Sequence, residues 1–597
     1  MSDGADAPDA SPRAPVPDPA AAVPETPDVA EEPEHRLTRR DYRIIIAITS
    51  VAFLLRLLSP ILPDFATNPT SWPPVRAFGL GHPYQAPNGY IFDEVYFAQD
   101  ACKDLVGMDY YDPEPPLAKL VIAAGIVIGG TWMHYDQGYH HQVTTTGGAT
   151  HDNQCEAAGT LPGFGTWGWR LASLVFGTAL VPLIYVIALR IRPDRFFAAA
   201  AALLLTFDGM AFVQSRIGMI DAVALALLLL SYWIFHVHLG SRTNRRWWWT
   251  AILLGLCLGL SVAAKWTTLA ALGTMLVVLF GGWALRTDRG LRGLPPSKPP
   301  AGPRSDVVRV LAYALVFAVL PVLVYGLSYF RYNSIPHCST VTGPGLKIPA
   351  ICSPSHPDPL ALTLSAVHLG GATVWVPTAL DPGRYVRQIV IHDQWAYDYH
   401  AHLTATHPYG SKWYTWPFLL RPVAYYYQDG LGVDSLNHAP LREEVFNLGN
   451  PAIWWASIPA LVYCAVVALR RRRYPAIFIV IAFAAAYLPF SRVTRVLFLY
   501  HMFGSLPLMI LAVSYALADL RRWVTDRKIG TIRLRAPTGR LLAAAYLGTV
   551  LVVFIYFYPL WSALPISGDS WQQRIWFNLP TDNRFLHIQP DTRISWI

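Results

Sequence analysis

The stretch Trp167-Gly-Trp-Arg170-Leu-Ala-Ser-Leu-Val-Phe-Gly-Thr-Ala-Leu-Val-Pro-Leu-Ile-Tyr-Val-Ile-Ala-Leu-Arg190 carries no charge between its two arginines. As a helix it is roughly 36 Å long, enough to cross a hydrocarbon core of about 30 Å. Runs of the same character recur near 43–62, 196–213, 219–239, 247–264, 266–285, 307–330, 452–470, 474–490, 496–518 and 540–562. The chain therefore reads as an all-α polytopic membrane protein with about 11 transmembrane helices.

Composition agrees. Of 597 residues, 14% are charged and 53% apolar, and mean hydropathy is +0.31. Soluble proteins carry about 25% charged residues, so a soluble multidomain enzyme, a disordered scaffold and a disulfide mini-protein are all excluded. The net charge of +8 comes from short Arg clusters between apolar runs. That placement reports topology and argues against a nucleic-acid partner.

A segment at Leu117–Thr131 is about 22 Å long as a helix, short for a span. If it does not cross and the N-terminus is cytoplasmic, the loops at 190–195, 240–246, 286–306, 470–473 and 519–540 share the cytoplasmic side. Each of them holds three or more Lys or Arg. Were the segment to cross, every later cluster would fall outside, against the positive-inside rule. It is expected to lie flat on the outer surface as a juxtamembrane helix. Expected units are a disordered cytoplasmic tail at 1–40, a transmembrane domain at 41–562 and an extracytoplasmic tail at 563–597. The outer loops are 63–166 and 331–451. The Ala, Pro, Asp and Glu of the N-terminal tail cannot bury enough surface to fold. It has no apolar signal-peptide stretch, so the first span is expected to act as an uncleaved signal anchor.

Cys102 and Cys155 fall in the first outer loop, Cys338 and Cys352 in the second, and Cys257 and Cys464 inside spans. The outer face is oxidising, so bridges Cys102–Cys155 and Cys338–Cys352 are expected.

The polar chemistry is also on the outer side. Asp93-Glu94 sits among aromatics in Tyr90-Ile-Phe-Asp93-Glu94-Val-Tyr96-Phe97, and Tyr111-Asp112-Pro-Glu114-Pro-Pro-Leu-Ala-Lys119 follows. Carboxylates beside an interface need partners or a task, although a solvated acidic loop reads the same way. Arg170, Arg216 and Lys265 lie at outer helix ends, against the positive-inside trend, with Asp221 beside Arg216 in Arg216-Ile-Gly-Met-Ile-Asp221. Each alone fits a snorkelling anchor; together they fit an anionic head-group site.

The second loop holds His392-Asp393-Gln-Trp395-Ala-Tyr397-Asp398-Tyr399-His400-Ala-His402 and His407-Pro-Tyr409-Gly-Ser411-Lys412-Trp413-Tyr-Thr-Trp416-Pro417. Aromatics with polar edges stack on sugars, and they also form interfacial belts. The spacing His400-x-His402 matches no zinc pattern, so no metal site is assigned. There is no Walker loop, no His-Glu-x-x-His and no dinucleotide fingerprint.

Taken in order, Phe92-Asp93-Glu94-Val-Tyr-Phe, Tyr111-Asp112-x-x-Pro115-Pro116-Leu117-x-Lys119, Trp169-Arg170-Leu, Arg216–Asp221, Lys265-Trp266, Tyr399-His400, His407–Pro417 and Trp596-Ile597 resemble the protein O-mannosyltransferases. These are membrane enzymes of the GT-C class, and the likeness is to their bacterial, actinobacterial-like branch, over about 40–597. Two positions depart. Glu114 stands where the family motif Asp-x-His-Pro-Pro-Leu-Gly-Lys has His, and Ala118 where it has Gly. The second loop also has no counterpart of the trefoil domain inserted in fungal and animal relatives.

The resemblance implies a GT-C fold and inverting transfer of mannose, at the outer face, from polyprenyl monophosphate mannose to Ser or Thr hydroxyls of exported proteins. Asp93 is expected to be the base, with Glu94 orienting it or meeting the acceptor. Arg170, Lys265 and Arg216 are expected at the donor phosphate. Asp112, Lys119, Asp221, His400, His407, Tyr409 and Trp413 are expected at the rim. No nucleotide or other cofactor is implied; a divalent cation has no support in the residues, and the secretion channel is a conceivable partner. A lipoglycan or cell-wall acceptor would use the same carboxylate chemistry. A lipid-linked sugar flippase would instead place polar groups at the midplane in paired halves, which this sequence does not.

Overall fold

The apolar runs are helical, and polar residues at their ends set the boundaries. The computed structural model describes residues 37–57, 90–133, 144–146, 149–151, 166–284, 302–303, 305–337, 341–342, 347–348, 360–369, 372–433, 440–529, 532–577 and 596. The helices are α1 (Arg39–Leu57), α2 (Glu94–Val106), α3 (Leu117–Met133), α4 (Thr166–Ile191), α5 (Arg195–Thr206), α6 (Gly209–Gln214), α7 (Asp221–Leu239), α8 (Asn244–Ala264) and α9 (Leu269–Ala284). They continue as α10 (Asp306–Ala314), α11 (Leu320–Ser328), α12 (Pro382–His402), α13 (Pro451–Arg471), α14 (Tyr474–Tyr487), α15 (Leu506–Leu520), α16 (Thr538–Ser562) and α17 (Gly568–Gln572).

Among the described residues, seven helical stretches are long and apolar enough to cross a membrane: α4, α7, α8, α10 through α11, α13, α14 with its following turn, and α16. The other four expected spans are represented by shorter or more charged helices, so length alone does not give eleven. The run 196–213 is cut after Thr206, where Asp208 caps α6 by accepting from Ala211 N at 3.0 Å. The run 496–518 begins as a tight 3₁₀ turn, Leu499–Gly504, and becomes α-helical only from Leu506. Between α10 and α11 the helix widens into a π turn at Leu315–Val319, next to Pro321, which has no N–H for the preceding turn.

The expected juxtamembrane helix is α3. It packs on α2 and α4, and a Cβ on Gly125 would lie 2.6 Å from the carbonyl oxygen of Gly168. Only glycine permits that approach, which holds the first loop against the start of α4.

Ion pairs sort the helix ends. At one end Arg195 binds Asp41 at 2.8 Å, Arg192 binds Asp519 at 2.8 Å and Arg521 binds Asp194 at 2.9 Å. These join the start of α1, the α4–α5 turn and the end of α15, all in the expected cytoplasmic clusters. The starts of α4 and α7 and the end of α8 lie at the opposite end, where Arg170, Asp221 and Lys265 are found. A polar knot ties the two halves together. Asp208 accepts from Asn450 N (3.0 Å) and Trp454 Nε1 (2.9 Å), while Asn450 Nδ2 donates to Phe207 O and Val550 O.

The second loop adds strands that the sequence did not announce. Strands β1 (Thr144–Thr146) and β2 (Ala149–His151) pair in the first loop, β3 (Val341–Thr342) and β4 (Lys347–Ile348) in the second. An antiparallel hairpin of β5 (Leu362–Leu369) and β6 (Ala372–Leu380) precedes α12. After it, β7 (Val423–Val433) and β8 (Pro440–Asn447) form a sheet in the order β11-β8-β7, where β11 is Ile566–Ser567 after α16. A further hairpin, β9 (Thr525–Ile529) with β10 (Ile532–Ala536), lies between α15 and α16. Residues of the N-terminal tail up to 36 lie outside the described residues. Cys102, buried in α2, is disulfide-bonded; Cys155, Cys338 and Cys352 lie outside the described residues, and Cys257 and Cys464 are free thiols.

Candidate active site

Asp93 and Glu94 are neighbours in sequence with opposite environments. Glu94 is fully buried and begins α2. Its carboxylate accepts from Arg170 Nε and Nη2, both at 2.7 Å, from Gly218 N at 2.6 Å and from Ile91 N at 2.8 Å. A carboxylate offers about four acceptor positions, so Glu94 has none left for a substrate. A Cβ on Gly218 would meet Trp169 Cδ1 at 2.7 Å, so glycine is needed to bring that N–H in. Arg170 is 1% exposed and points at Glu94, not at open space.

Asp93 occupies the N-cap position of α2 without capping it, and its carboxylate makes no hydrogen bond among the described residues. The preceding Phe92 holds φ at +54°, a left-handed conformation that costs a non-glycine residue roughly 1–3 kcal/mol. Its ring is clamped flat on Tyr425, centroids 4.1 Å apart, with Tyr500 edge-on at 5.7 Å. Burial pushes Asp93 up to about 7; Lys265 opposes that, while Asp221 and Asp112 add to it. A carboxylate that binds its proton near neutrality suits a general base.

Around it the expected rim residues pair with each other. Lys119 Nζ donates to Asp112 Oδ1 and to Glu114 O, both at 2.8 Å, and Glu114 N donates to Asp112 Oδ1 at 2.9 Å. This closes the turn that launches α3. Lys265 ends α8 on extended backbone and lies 2.9 Å from Asp221 Oδ1 and 3.5 Å from Glu114 Oε1. Burial pushes the Glu114 carboxyl up, and Lys265 pulls against it. His400 Nε2 reaches Pro113 O at 3.2 Å, its ring is edge-on to Trp266, and burial with the nearby Arg495 pushes it down to about 4. The charges of Lys265, Asp221 and Asp112 all bear on Asp93, so these groups form one electrostatic cluster with it.

Other expected residues are placed differently. Arg216 is fully buried against Phe212, 4.1 Å from the ring, and among the described residues none of its three guanidinium nitrogens has a hydrogen-bond partner. His407 is exposed, sits beside Tyr409 and is edge-on to Phe498, which stacks on Tyr500, so this pair flanks the pocket at one remove. Trp413 packs edge-on against Tyr487, and its carbonyl accepts from the Tyr487 hydroxyl at 2.8 Å. Among the described residues, no three His, Cys, Asp or Glu side chains gather as metal ligands would.

Three features escaped the sequence reading. Arg56 is fully buried in α1, with Nη1 on Ala52 O. Tyr325, Tyr329 and His392 converge on Asp393 and fasten α12 to α11, with both tyrosine hydroxyls 2.8 Å from Asp393 Oδ1. Arg495 lies in the turn after α14, on the side expected to face outward. An arginine there defies the positive-inside trend, the same signal that picked out Arg170 and Lys265.

Two family models match this chain: "Dolichyl-phosphate-mannose-protein mannosyltransferase" over residues 80–332, and "C-terminal four TMM region of protein-O-mannosyltransferase" over 387–579. Among curated proteins it is similar to a polyprenol-phosphate-mannose–protein mannosyltransferase of Mycobacterium tuberculosis, 26% identical over 69% of this chain and 77% of that one. The namesake in Mycolicibacterium smegmatis is also 26% identical, over 84% and 89%. The solved S. cerevisiae Pmt1-Pmt2 complex bound to the sugar donor superposes with a TM-score of 0.61 at 14% identity, covering 91% of this chain and 93% of that one. The fold is therefore shared over most of both chains. With both family models placed in order along a GT-C architecture, this chain belongs to the protein O-mannosyltransferase family of membrane glycosyltransferases.

Proposed function

We propose that the chain transfers mannose from polyprenyl monophosphate mannose to Ser or Thr hydroxyls of exported polypeptides, with inversion, at the outer face of the membrane. The observation that carries this reading is Asp93: a carboxylate without a hydrogen-bond partner among the described residues, raised to about 7, beside a Glu94–Arg170 pair that fixes its position. The names of the mycobacterial relatives support the donor and the acceptor class.

In this scheme the acceptor Oγ bonds to C1 of the sugar as the bond from C1 to the phosphate oxygen breaks. Asp93 takes the hydroxyl proton, and the electron pair of the broken bond stays on the phosphate. One base suffices for such a displacement, and no covalent sugar-enzyme intermediate forms. Lys265 adds positive charge to the pocket. Glu94 and Arg170 act as positioning residues. No nucleotide takes part.

The outer-face assignment is supported by the Arg-rich ion pairs at the opposite end of the helices, which match the positive-inside rule. The test is transfer of labelled mannose from polyprenyl phosphate mannose to a Ser/Thr/Pro-rich peptide by membranes holding wild type or Asp93→Asn. Label with wild type and its loss in the variant is the expected result. No label from inserted, intact wild type would overturn the reading in favour of a lipoglycan acceptor or another sugar.

A further inference from the structure

Transfer changes the charge of the donor phosphate. It begins as a singly charged diester and leaves as a monoester carrying nearly two charges, so the pocket needs a cation that is not already neutralised. Of the cations at this end, Arg216 is fully buried on the Phe212 ring, and those near Asp93 are mostly committed. Arg170 gives two nitrogens to Glu94, Lys119 is held by Asp112, and Lys265 lies between Asp221 and Glu114. Arg331 donates to the carbonyl oxygens of Asp104 and Leu105.

Arg495 is different. It sits in the segment 493–498 between the 3₁₀ turns Leu488–Arg492 and Leu499–Gly504, is half-buried, and has no hydrogen bond or carboxylate ion pair among the described residues. The segment is pinned to the site from both sides. Ser411 N donates to Leu497 O at 2.8 Å, Phe498 stacks on Tyr500 at 5.4 Å, and Tyr500 meets Phe92, the residue before Asp93. The charge of Arg495 bears on Lys265, His400 and His501. The His400 imidazole is kept neutral first by burial and then by Arg495. A half-buried guanidinium with no carboxylate partner among the described residues, whose charge reaches Lys265 and the neutral His400 ring, lacks only an anion.

We propose that Arg495 is the phosphate-contacting cation of the transfer reaction, taking the donor's phosphate through its guanidinium fork and stabilising the charge that builds on it as C1 departs. This rests on the proposed mannosyl transfer and names a residue for the phosphate of that same site. A guanidinium binds phosphate oxygens in pairs, which an ammonium cannot do. Because the phosphate charge is larger in the product than in the donor, removing Arg495 should weaken product binding more than donor binding.

The test uses the full-length protein in detergent or nanodiscs as wild type, Arg495→Gln and Arg495→Lys. Binding of polyprenyl monophosphate, without sugar, is measured directly, and kcat and KM are measured by labelled mannose transfer. Arg495→Gln should bind polyprenyl monophosphate about tenfold or more weakly, with kcat falling further than KM rises, and Arg495→Lys should lie between. The lysine variant keeps the charge, so it tests the fork even where the glutamine variant folds poorly. Unchanged polyprenyl monophosphate affinity in a folded Arg495→Gln, or kcat within about twofold of wild type, overturns the proposal. Arg495-dependent binding by a wild-type protein that transfers no mannose would keep this assignment and remove the proposed reaction instead.

Discussion

Glu94 and Arg170, 76 positions apart, are joined by two N–H···O bonds of 2.7 Å at a point neither side chain exposes to solvent. Removing one partner strands the other charge, which typically costs about 3–5 kcal/mol, and a lysine cannot reproduce the paired geometry. Glu94→Gln and Arg170→Lys should therefore each lower the thermal unfolding midpoint in detergent as well as activity. Loss of activity from either variant at a wild-type midpoint would show that Glu94 or Arg170 touches substrate instead of positioning its neighbours.

Asp93 should leave a signature in pH rather than in stability. Its folded value, about 7, lies above the ordinary carboxylate range, so below pH 7 it is protonated and cannot accept the hydroxyl proton. kcat/KM should fall about tenfold per pH unit on the acidic side of 7 and level off above it. Asp93→Asn should lower turnover by roughly 10²–10⁴ at the plateau, with an unfolding midpoint no lower than wild type, since the variant removes a buried charge. An acidic limb midpoint near pH 4 would place the base elsewhere.

How much of this was legible in sequence depends on range. Seven of the spans were, because a long apolar run reports its own environment. That Asp93 and Glu94 divide into a free carboxylate and a saturated one was not, because the partners that decide it, Arg170 and Gly218, lie 76 and 124 positions away. Nor were the hairpins of the second loop. In Val423–Val433 tyrosines fill three consecutive positions, Tyr425 to Tyr427, and hide the alternation that marks a strand. Arg216 was read as a head-group contact from its helix-end position, which says nothing about the Phe212 ring it lies on.

The knot at Asp208 should be the most sensitive point of the scaffold. Its two oxygens satisfy Ala211 N, Asn450 N and Trp454 Nε1, all buried. Asp208→Ala orphans all three donors, at about 1–3 kcal/mol each, whereas Trp454→Phe removes one donor and orphans only part of one carboxylate. Unfolding midpoints should rank wild type, then Trp454→Phe, then Asp208→Ala. The reverse order of the two variants would mean that indole packing, not the hydrogen bonds, joins the halves.

Lys265 and Asp221 give a test in which two substitutions at one ion pair must act in opposite directions. Lys265 favours the charged form of Asp93 and Asp221 disfavours it. In Lys265→Met the base loses a favourable neighbour, so Asp93 binds its proton more tightly and the acidic limb of kcat/KM moves to higher pH. In Asp221→Asn a repelling carboxylate disappears and Lys265 is left less neutralised; both changes favour ionised Asp93, and the limb moves to lower pH. Each shift should be read from the midpoint of the limb and not from the plateau, because loss of Lys265 also weakens the positive field in the pocket and lowers the plateau. Shifts in the same direction, or none, would mean that Asp93 does not set the acidic limb even if its replacement abolishes turnover.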